Sequence, residues 1–158
     1  MTEVVNISDA KATADPVVTL ATYSLGSCIG LSLYDPVNKV GGMLHFQLPT
    51  STMDADRARQ VPLMFADTGM AWLLQEMEAL GALKRRMQVK LAGAAQMLND
   101  ASTFNIGRRN HAAIRKLLWQ HGMLIAAEHV GGSLPRNLYL NVSSGGVTMK
   151  IANEVFTL

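Results

Sequence analysis

The only cysteine of this chain, Cys28, is followed by a histidine, His45, on the far side of a turn-forming segment, Asp35–Asn38. A thiol acts as a nucleophile when a base lies within hydrogen-bond reach, and histidine is the side chain that most often supplies it. The apolar runs on either side of the turn predict a β-hairpin. In a hairpin symmetric about this turn, Cys28 and His45 are directly opposed, with β-carbons about 4.5–5.5 Å apart. The spacing therefore predicts a thiol–imidazole pair on one face of the ribbon.

Residue types alone favour a plainer interpretation of this pair. A lone cysteine is most often a small buried hydrophobe, and a strand histidine is usually a structural residue. Two observations move the balance toward catalysis. A slip of one residue would place the two side chains on opposite faces, so the predicted register is informative. Glycines also crowd the hairpin, where they weaken a strand and often mark the close approach of a ligand or another backbone; they are Gly26, Gly30, Gly41 and Gly42.

A third group normally orients the imidazole of such a pair, and Thr22 lies close enough along the chain to return to it after a turn. Its hydroxyl can bind the second ring nitrogen or the substrate. By residue type alone, a β-branched strand residue without a chemical role is the more frequent case. The backbone amides around Gly26 and Ser27 are candidates for binding the substrate and its oxyanion, although Ser27 also suits a turn.

The remaining histidines, His111, His121 and His129, do not stand at metal-ligand spacing with Cys28. The sequence also lacks a phosphate-binding loop, a dinucleotide fingerprint and a run of interleaved basic and aromatic residues. These features argue against a metal centre, a nucleotide cofactor and nucleic-acid binding.

The composition predicts a single domain over residues 1–158, long enough to bury a substantial core. Hydrophobic residues make up 49% and charged residues 16%, and the net charge of +2 is too small to indicate nucleic acid or an anionic membrane as a partner. No apolar run approaches the length of a membrane span, and the first residues lack the features of a signal peptide. One unpaired cysteine fits a reducing compartment, which predicts a cytoplasmic address.

The elements that must position these residues follow from periodicity and turn signals. Apolar residues at helical spacing predict one helix from about 61 to 80, ended by Gly81, and a second that opens at Asn105 and ends at Gly122. Strands are predicted in the two hairpin arms and at 16–22, 88–92, 124–130, 137–142 and 147–152. Strand runs around two main helices predict an α+β fold, with mixed or antiparallel sheets packed against the helices.

Two stretches, Thr22 to Cys28 and Tyr34 to Pro49, form motifs that resemble those of the chemoreceptor glutamine deamidases, the CheD family. The resemblance covers nearly the whole chain. Shorter matching segments follow in family order at 65–70, 74–77, 90–95, 106–110 and 130–132, with Arg136 after them. The resemblance assigns the family's nucleophile to Cys28, its base to His45 and its supporting threonine to Thr22.

The implied reaction is hydrolysis of a glutamine side-chain amide to glutamate and ammonia, with no metal or organic cofactor. The resemblance implies the helical cytoplasmic portions of chemotaxis receptors as substrate, without insertion into the membrane or contact with nucleic acid. It also implies a CheC-type phosphatase of the response regulator as a partner. The implied fold is similar to that of a cysteine-dependent toxin deamidase, in which mixed sheets are flanked by helices.

The chain departs from the family pattern in three places. The family usually has Phe-Gly-Gly-Ala where this chain has Ala92–Ala95, an acidic residue where it has His129, and Thr-Gly where it has Ser144-Gly145. Two other functions therefore stay open. The chain can be mainly a binding module that regulates a CheC-type phosphatase with little turnover, which the Ala92–Ala95 departure motivates. It can also be a thiol amidase that uses the same residues on small molecules or free peptides.

Overall fold

The structure, a computed structural model, describes residues 1–96 and 105–158. Within these ranges, no helix is both long enough and apolar enough to span a membrane. The described residues form ten strands and three α-helices. In chain order they are β1 (Thr2–Val4), β2 (Asp9–Thr13), β3 (Thr19–Leu25), β4 (Ile29–Asp35), β5 (Val40–Phe46), α1 (Ala55–Gln60), α2 (Ala66–Ala79), β6 (Gln88–Gly93), α3 (Ile106–Gln120), β7 (Ile125–Val130), β8 (Arg136–Asn141), β9 (Val147–Ile151) and β10 (Glu154–Thr157).

The strands make two five-stranded sheets. Sheet A has the order β1-β3-β8-β9-β10, and sheet B has the order β2-β5-β4-β6-β7. Each sheet contains one parallel pair, β1 with β3 in sheet A and β6 with β7 in sheet B, while the other neighbours are antiparallel. Both sheets are therefore mixed, and the predicted α+β class is confirmed.

Sheet B is the middle of three layers, between sheet A and the two main helices. Leu44 and Phe46 of β5 belong to the core that α2 and α3 cover, whereas Met43 belongs to the core between the two sheets. This alternation is the two-residue period of a strand. It explains why every residue of β4 and β5 is buried, and why the hairpin arms are apolar runs rather than alternating patterns.

The predicted register of the β4–β5 hairpin is wrong by two residues. The turn occupies residues 36–39, Asp35 pairs with Val40, and His45 pairs with Gly30 rather than with Cys28. Lys39 completes the turn in the left-handed region, with φ of +53°. The observed turn has the predicted length of four residues but lies one residue later, and Lys39 gave no warning of this because the left-handed position is usually taken by glycine or asparagine.

The helix predicted from about residue 61 begins later, at Ala66. Pro62 instead starts a separate 3-10 turn, Pro62–Met64, and the next residue, Phe65, is extended and pairs with Leu48. The Ala66 N–H donates to the Leu48 carbonyl at 2.9 Å. The pairing of Phe65 with Leu48 therefore interrupts the helical spacing of apolar residues, which is continuous in the sequence from residue 61. The predicted end is confirmed, because Gly81 follows the helix with φ of +96°.

The second helix and the later strands lie within one or two residues of their predicted bounds. The prediction missed β1, β2 and β10. The sequence of β2, Asp-Ala-Lys-Ala-Thr, carries no β-branched or aromatic run that would indicate a strand. It is a strand because its backbone pairs with β5 along its whole length, from Asp9 opposite His45 to Thr13 opposite Gly41.

Candidate active site

Thr22 and His45 meet because the two sheets stack on each other. Thr22 lies on β3 of sheet A and His45 on β5 of sheet B, so no strand ladder joins them. Thr22 Oγ1 is 2.7 Å from His45 Nδ1. The two residues are 0% and 3% exposed, respectively. The structure thus places two of the three predicted site residues in direct side-chain contact.

The carbonyl of Val5 decides which nitrogen of His45 carries the proton. Thr22 Oγ1 donates its single hydroxyl proton to the Val5 carbonyl, at 2.7 Å. The same oxygen can then only accept from His45, so Nδ1 is protonated. In a neutral imidazole the lone pair is then on Nε2. Val5 and Thr22 therefore leave Nε2 as the basic atom. Sequence reasoning missed the part played by Val5.

Gly30 permits the Thr22–His45 contact. It is the register partner of His45. A β-carbon at Gly30 would lie 2.9 Å from Leu25 Cδ1 and 3.4 Å from Thr22 Cγ2. A larger residue would therefore push sheet A away from sheet B beside this contact. The expectation that hairpin glycines mark close approach is correct here, and what approaches is the side-chain layer of the other sheet.

Cys28 is partly buried in the bend that precedes β4, and it packs against the core between the sheets. It stands two residues before Gly30, so strand alternation turns it toward the side occupied by His45. The two residues are diagonal rather than opposed, and diagonal neighbours typically lie about 7–8 Å apart. His45 Nε2 is buried and has no hydrogen-bond partner among the described residues. The thiol and the base therefore face the same side of the hairpin without a hydrogen bond between them, and catalytic hydrogen bonds often tighten only when substrate binds.

Burial keeps both members of the pair neutral. It raises the pKa of the Cys28 thiol from 9.0 to about 11, partly offset by a hydrogen bond to its own backbone. It lowers the pKa of His45 from 6.5 to about 4, against the opposing effect of the Asp9 charge. A neighbouring imidazolium, which would lower the thiol pKa, is not formed at neutral pH because the buried imidazole is uncharged there. At neutral pH the proton therefore rests on sulfur, and the neutral His45 ring is able to accept one.

Gly26 and Ser27, the tentative oxyanion residues, lie in the segment between β3 and β4. Their carbonyls are bound by the protein itself: Gly26 accepts from the Ala95 N–H at 2.8 Å, and Ser27 accepts from the Asn110 side chain at 2.9 Å. The Cys28 carbonyl likewise accepts from the Ala94 N–H, at 2.8 Å. These bonds hold the carbonyls of the segment in fixed directions, and the peptide N–H groups are fixed with them.

Asp9 is a carboxylate that sequence reasoning missed. It is the β2 register partner of His45 on β5, and its charge raises the pKa of His45 against the larger effect of burial. Its oxygens accept from the Asn6 and Ala10 N–H groups at 3.1 and 2.9 Å. Its only sequence signal is an aspartate within a turn-forming stretch, which is a common pattern.

Replacing Asp9 by asparagine is expected to move the acid limb of the pH–activity profile to lower pH. Loss of the negative charge disfavours the imidazolium, so His45 stays deprotonated further into acid. The profile of kcat/KM measures this limb in the free protein. Asp15→Asn is the matched control, because Asp15 also accepts a backbone N–H in a turn. An unmoved acid limb in Asp9→Asn would show that the Asp9 charge has no influence on the base.

A cavity of about 290 Å³ reaches His45 from the surface. Its rim includes two exposed apolar side chains, Ile7 and Tyr23, which are 54% and 40% exposed. The residues that line it are Val4, Val5, Asn6, Ile7, Tyr23, Ser24 and His45. A larger cavity of about 500 Å³ lies between α3 and the segment after β5, and His45 does not line it. Cys28 lines neither of the two cavities. The cavity that touches the base is the better candidate for substrate entry.

The described residues contain no cluster of three histidine, cysteine, aspartate or glutamate side chains that could hold a metal ion. The polar groups around Cys28 and His45 are hydroxyl, amide and carbonyl groups in addition to Asp9. The arrangement can supply a nucleophile, a base and backbone donors, which are the parts required for acyl transfer from an amide.

Replacing Thr22 by valine is expected to lower kcat by about 10²-fold. Valine keeps the shape of threonine but leaves His45 Nδ1–H without its acceptor, so the ring is free to rotate or to change tautomer. The measurement is steady-state turnover, with KM expected to stay constant. Thr19→Val, on the same strand, is the matched control. Wild-type kcat in Thr22→Val would remove the hydroxyl from the mechanism.

Comparison with known proteins identifies the family. Residues 47–151 match the model of a family described as CheD chemotactic sensory transduction. The chain is 47% identical over 142 residues to a protein of Solibacter usitatus named probable chemoreceptor glutamine deamidase CheD, covering 90% of this chain and 84% of the relative. The chain belongs to the CheD family. Proteins with the same printed name in Syntrophus aciditrophicus (with the suffix 1) and Thermococcus kodakarensis are 43% and 40% identical, over 93% and 90% of this chain and 92% and 89% of their own lengths.

A solved structure is also similar. The crystal structure of the Neisseria meningitidis protein NMB0706 aligns with 82% of this chain and 62% of its own, at 12% identity and a TM-score of 0.43. This similarity is too weak to carry an argument about fold or function.

One departure from the CheD pattern has a visible structural consequence. Ala94 stands where the resemblance to the family predicts glycine, and its φ is +53°, a left-handed conformation that costs an alanine about 1–2 kcal/mol. The contact to Cys28 survives the substitution, because Ala94 reaches the Cys28 carbonyl through its backbone N–H. Gly93 before it is retained, and a β-carbon there would collide with that same carbonyl.

Proposed function

We propose that this CheD-family protein is a chemoreceptor glutamine deamidase that uses Cys28 as its nucleophile. The observation that carries the proposal is the chain from the Val5 carbonyl through Thr22 to His45, which leaves an unpartnered base at Nε2 beside the bend that holds Cys28. The printed names of the relatives supply the substrate class, the glutamines of chemoreceptors.

The first half-reaction makes a thioester. His45 Nε2 takes the thiol proton as Cys28 Sγ attacks the carboxamide carbon of the glutamine, giving a tetrahedral intermediate. The resulting imidazolium then gives its proton to the departing nitrogen, and ammonia leaves. The Nδ1–H bond to Thr22 keeps the ring in place while its charge changes.

The second half-reaction restores the thiol. A water molecule attacks the thioester carbon as Nε2 takes one of its protons. The second tetrahedral intermediate collapses, the carbon–sulfur bond breaks, and the sulfur recovers a proton from the imidazolium. The product is a glutamate side chain, and the hydrolysis requires neither a redox change nor a cofactor.

The oxyanion of both intermediates needs fixed donors. We assign this role to the backbone N–H groups of the segment that contains Gly26, Ser27 and Cys28. Bonds to the three carbonyls of this segment support the assignment, because each peptide group is rigid and fixing its carbonyl also directs its N–H.

The proposal also covers where the receptor binds, which partner the protein has and where in the cell it acts. The helical cytoplasmic portion of a receptor fits against the exposed rim formed by Ile7 and Tyr23, with the glutamine side chain entering the cavity beside His45. A CheC-type phosphatase as partner, a fold similar to that of a toxin deamidase, a single domain over 1–158 and a cytoplasmic address remain predictions, supported by the family resemblance and by composition.

The test is incubation of a folded receptor cytoplasmic fragment with the protein, followed by ammonia detection and peptide mass spectrometry. We expect ammonia and the mass increase that accompanies replacement of an amide NH2 by OH, confined to particular glutamines. Protein alkylated with iodoacetamide is the control, because Cys28 is its single thiol. An unchanged receptor, or modification by the alkylated protein, would contradict the proposal.

The same assay separates the alternatives. Equal turnover of the folded fragment and of short glutaminyl peptides would indicate a general thiol amidase. Binding to a phosphatase without any ammonia release would indicate a binding module.

A further inference from the structure

Asn110 is the polar member of an otherwise apolar helix face. The buried residues of α3 are Gly107, Asn110, Ile114 and Leu118, which follow one another at helical spacing. Asn110 is 0% exposed. Burying a carboxamide costs free energy unless it is hydrogen-bonded, so the partners of Asn110 indicate what the residue does.

The NH2 group of Asn110 bridges two backbone carbonyls. Nδ2 donates to the Ser27 carbonyl at 2.9 Å and to the Gln47 carbonyl at 2.8 Å. Ser27 immediately precedes Cys28, and Gln47 lies two residues after His45. One side-chain group therefore ties the chain beside the nucleophile to the chain beside the base, using both of its protons.

The close packing of α3 on Ala94 and Ala95 brings Asn110 between the Ser27 and Gln47 carbonyls. A β-carbon at Gly107 would lie 2.8 Å from the carbonyl oxygens of Ala94 and Ala95, so only glycine allows the helix to approach so near. The N–H groups of the same two residues donate to the carbonyls of Cys28 and Gly26. The first turn of α3 therefore rests on the segment that supports the Cys28 bend.

We propose that Asn110 is a positioning residue of the deamidase site, one that holds the Ser27–Cys28 peptide and the end of the His45 strand in a fixed relation. This inference rests on the proposed function. Asn110 acts through the backbone and does not touch the reacting atoms. The Ser27–Cys28 peptide is planar, so a bond to its carbonyl also fixes the direction of the Cys28 N–H. That N–H lies beside the thiol and is suited to receive the developing oxyanion.

The test is Asn110→Leu in the full chain, which keeps similar bulk and removes both donors. We expect kcat for receptor deamidation to fall by about 10²-fold with KM unchanged, as for a misplacement of about 1 Å at a reacting centre. Asn110→Ala is expected to show the same split between kcat and KM. Thermal unfolding of each variant measures how much folded protein enters the assay.

Asn38→Leu is the matched control, because the Asn38 Nδ2 also donates to a backbone carbonyl, that of Gly81, at the far end of the hairpin. The proposal is overturned if Asn110→Leu keeps wild-type kcat, if only KM changes, or if both variants unfold, since unfolding would assign Asn110 to the fold as a whole. An active Cys28→Ala variant would instead remove the proposed function. An inactive Cys28→Ala beside a fully active Asn110→Leu would remove this inference alone.

Discussion

Cys28→Ala is expected to lower ammonia release from receptor glutamines by at least on the order of 10³-fold, because no thioester can form without the sulfur. Cys28 is the only cysteine, so no neighbouring thiol can replace it. It is partly buried in a bend and not at the centre of a core cluster, so its truncation leaves the packing of both sheets in place. The measurement is ammonia release together with peptide mass spectrometry of the receptor fragment.

Cys28→Ser is the companion variant, since it preserves size and replaces the sulfur by a much less acidic hydroxyl. A comparable loss is expected, because the base must then remove a proton that is harder to transfer. If the proposed CheC-type phosphatase binds the wild type, both variants should bind it equally well, because neither substitution changes the surface around the bend. Unchanged receptor modification by Cys28→Ala would contradict nucleophilic catalysis by this thiol.

His45→Gln is expected to lower kcat by about 10²–10⁴-fold, the range typical of a general base. Glutamine can still donate a hydrogen bond to Thr22 Oγ1, but it cannot take the thiol proton at neutral pH. The loss should be larger than that of Thr22→Val, because the threonine acts only through the ring. His129→Gln, on strand β7, is the matched control, and an equal loss in it would show that the effect is not specific to His45.

His45→Gln is also expected to change how the free energy of unfolding depends on pH. Burial lowers the pKa of His45 from 6.5 to about 4, so the folded protein favours the neutral ring and the unfolded chain binds the proton more readily. The stabilising contribution is present above pH 6.5 and is lost as the pH falls toward 4. We expect the wild type to lose more stability than His45→Gln over that window. Equal acid dependence in denaturant unfolding would contradict a buried neutral imidazole.

The register of the β4–β5 hairpin differs from the predicted register, yet Cys28 and His45 still face the same side. The predicted pairing of Cys28 with His45 was two residues away from the observed pairing of Gly30 with His45. Side chains alternate with a period of two, so an even shift preserves the face while an odd shift inverts it. The proposed nucleophile, Cys28, and the proposed base, His45, therefore remain on one side, as diagonal neighbours.

The sequence by itself determined the chemical types and the elements that carry them: one thiol, a histidine on the next strand, glycines that admit close packing, and an α+β order of elements. Only the tertiary structure decided how these groups act. The stacking of sheet A on sheet B joins Thr22 to His45, and the Val5 carbonyl selects the tautomer. Burial sets the protonation states of Cys28 and His45. These depend on contacts between residues far apart in the chain and on exclusion of water, neither of which local residue patterns encode.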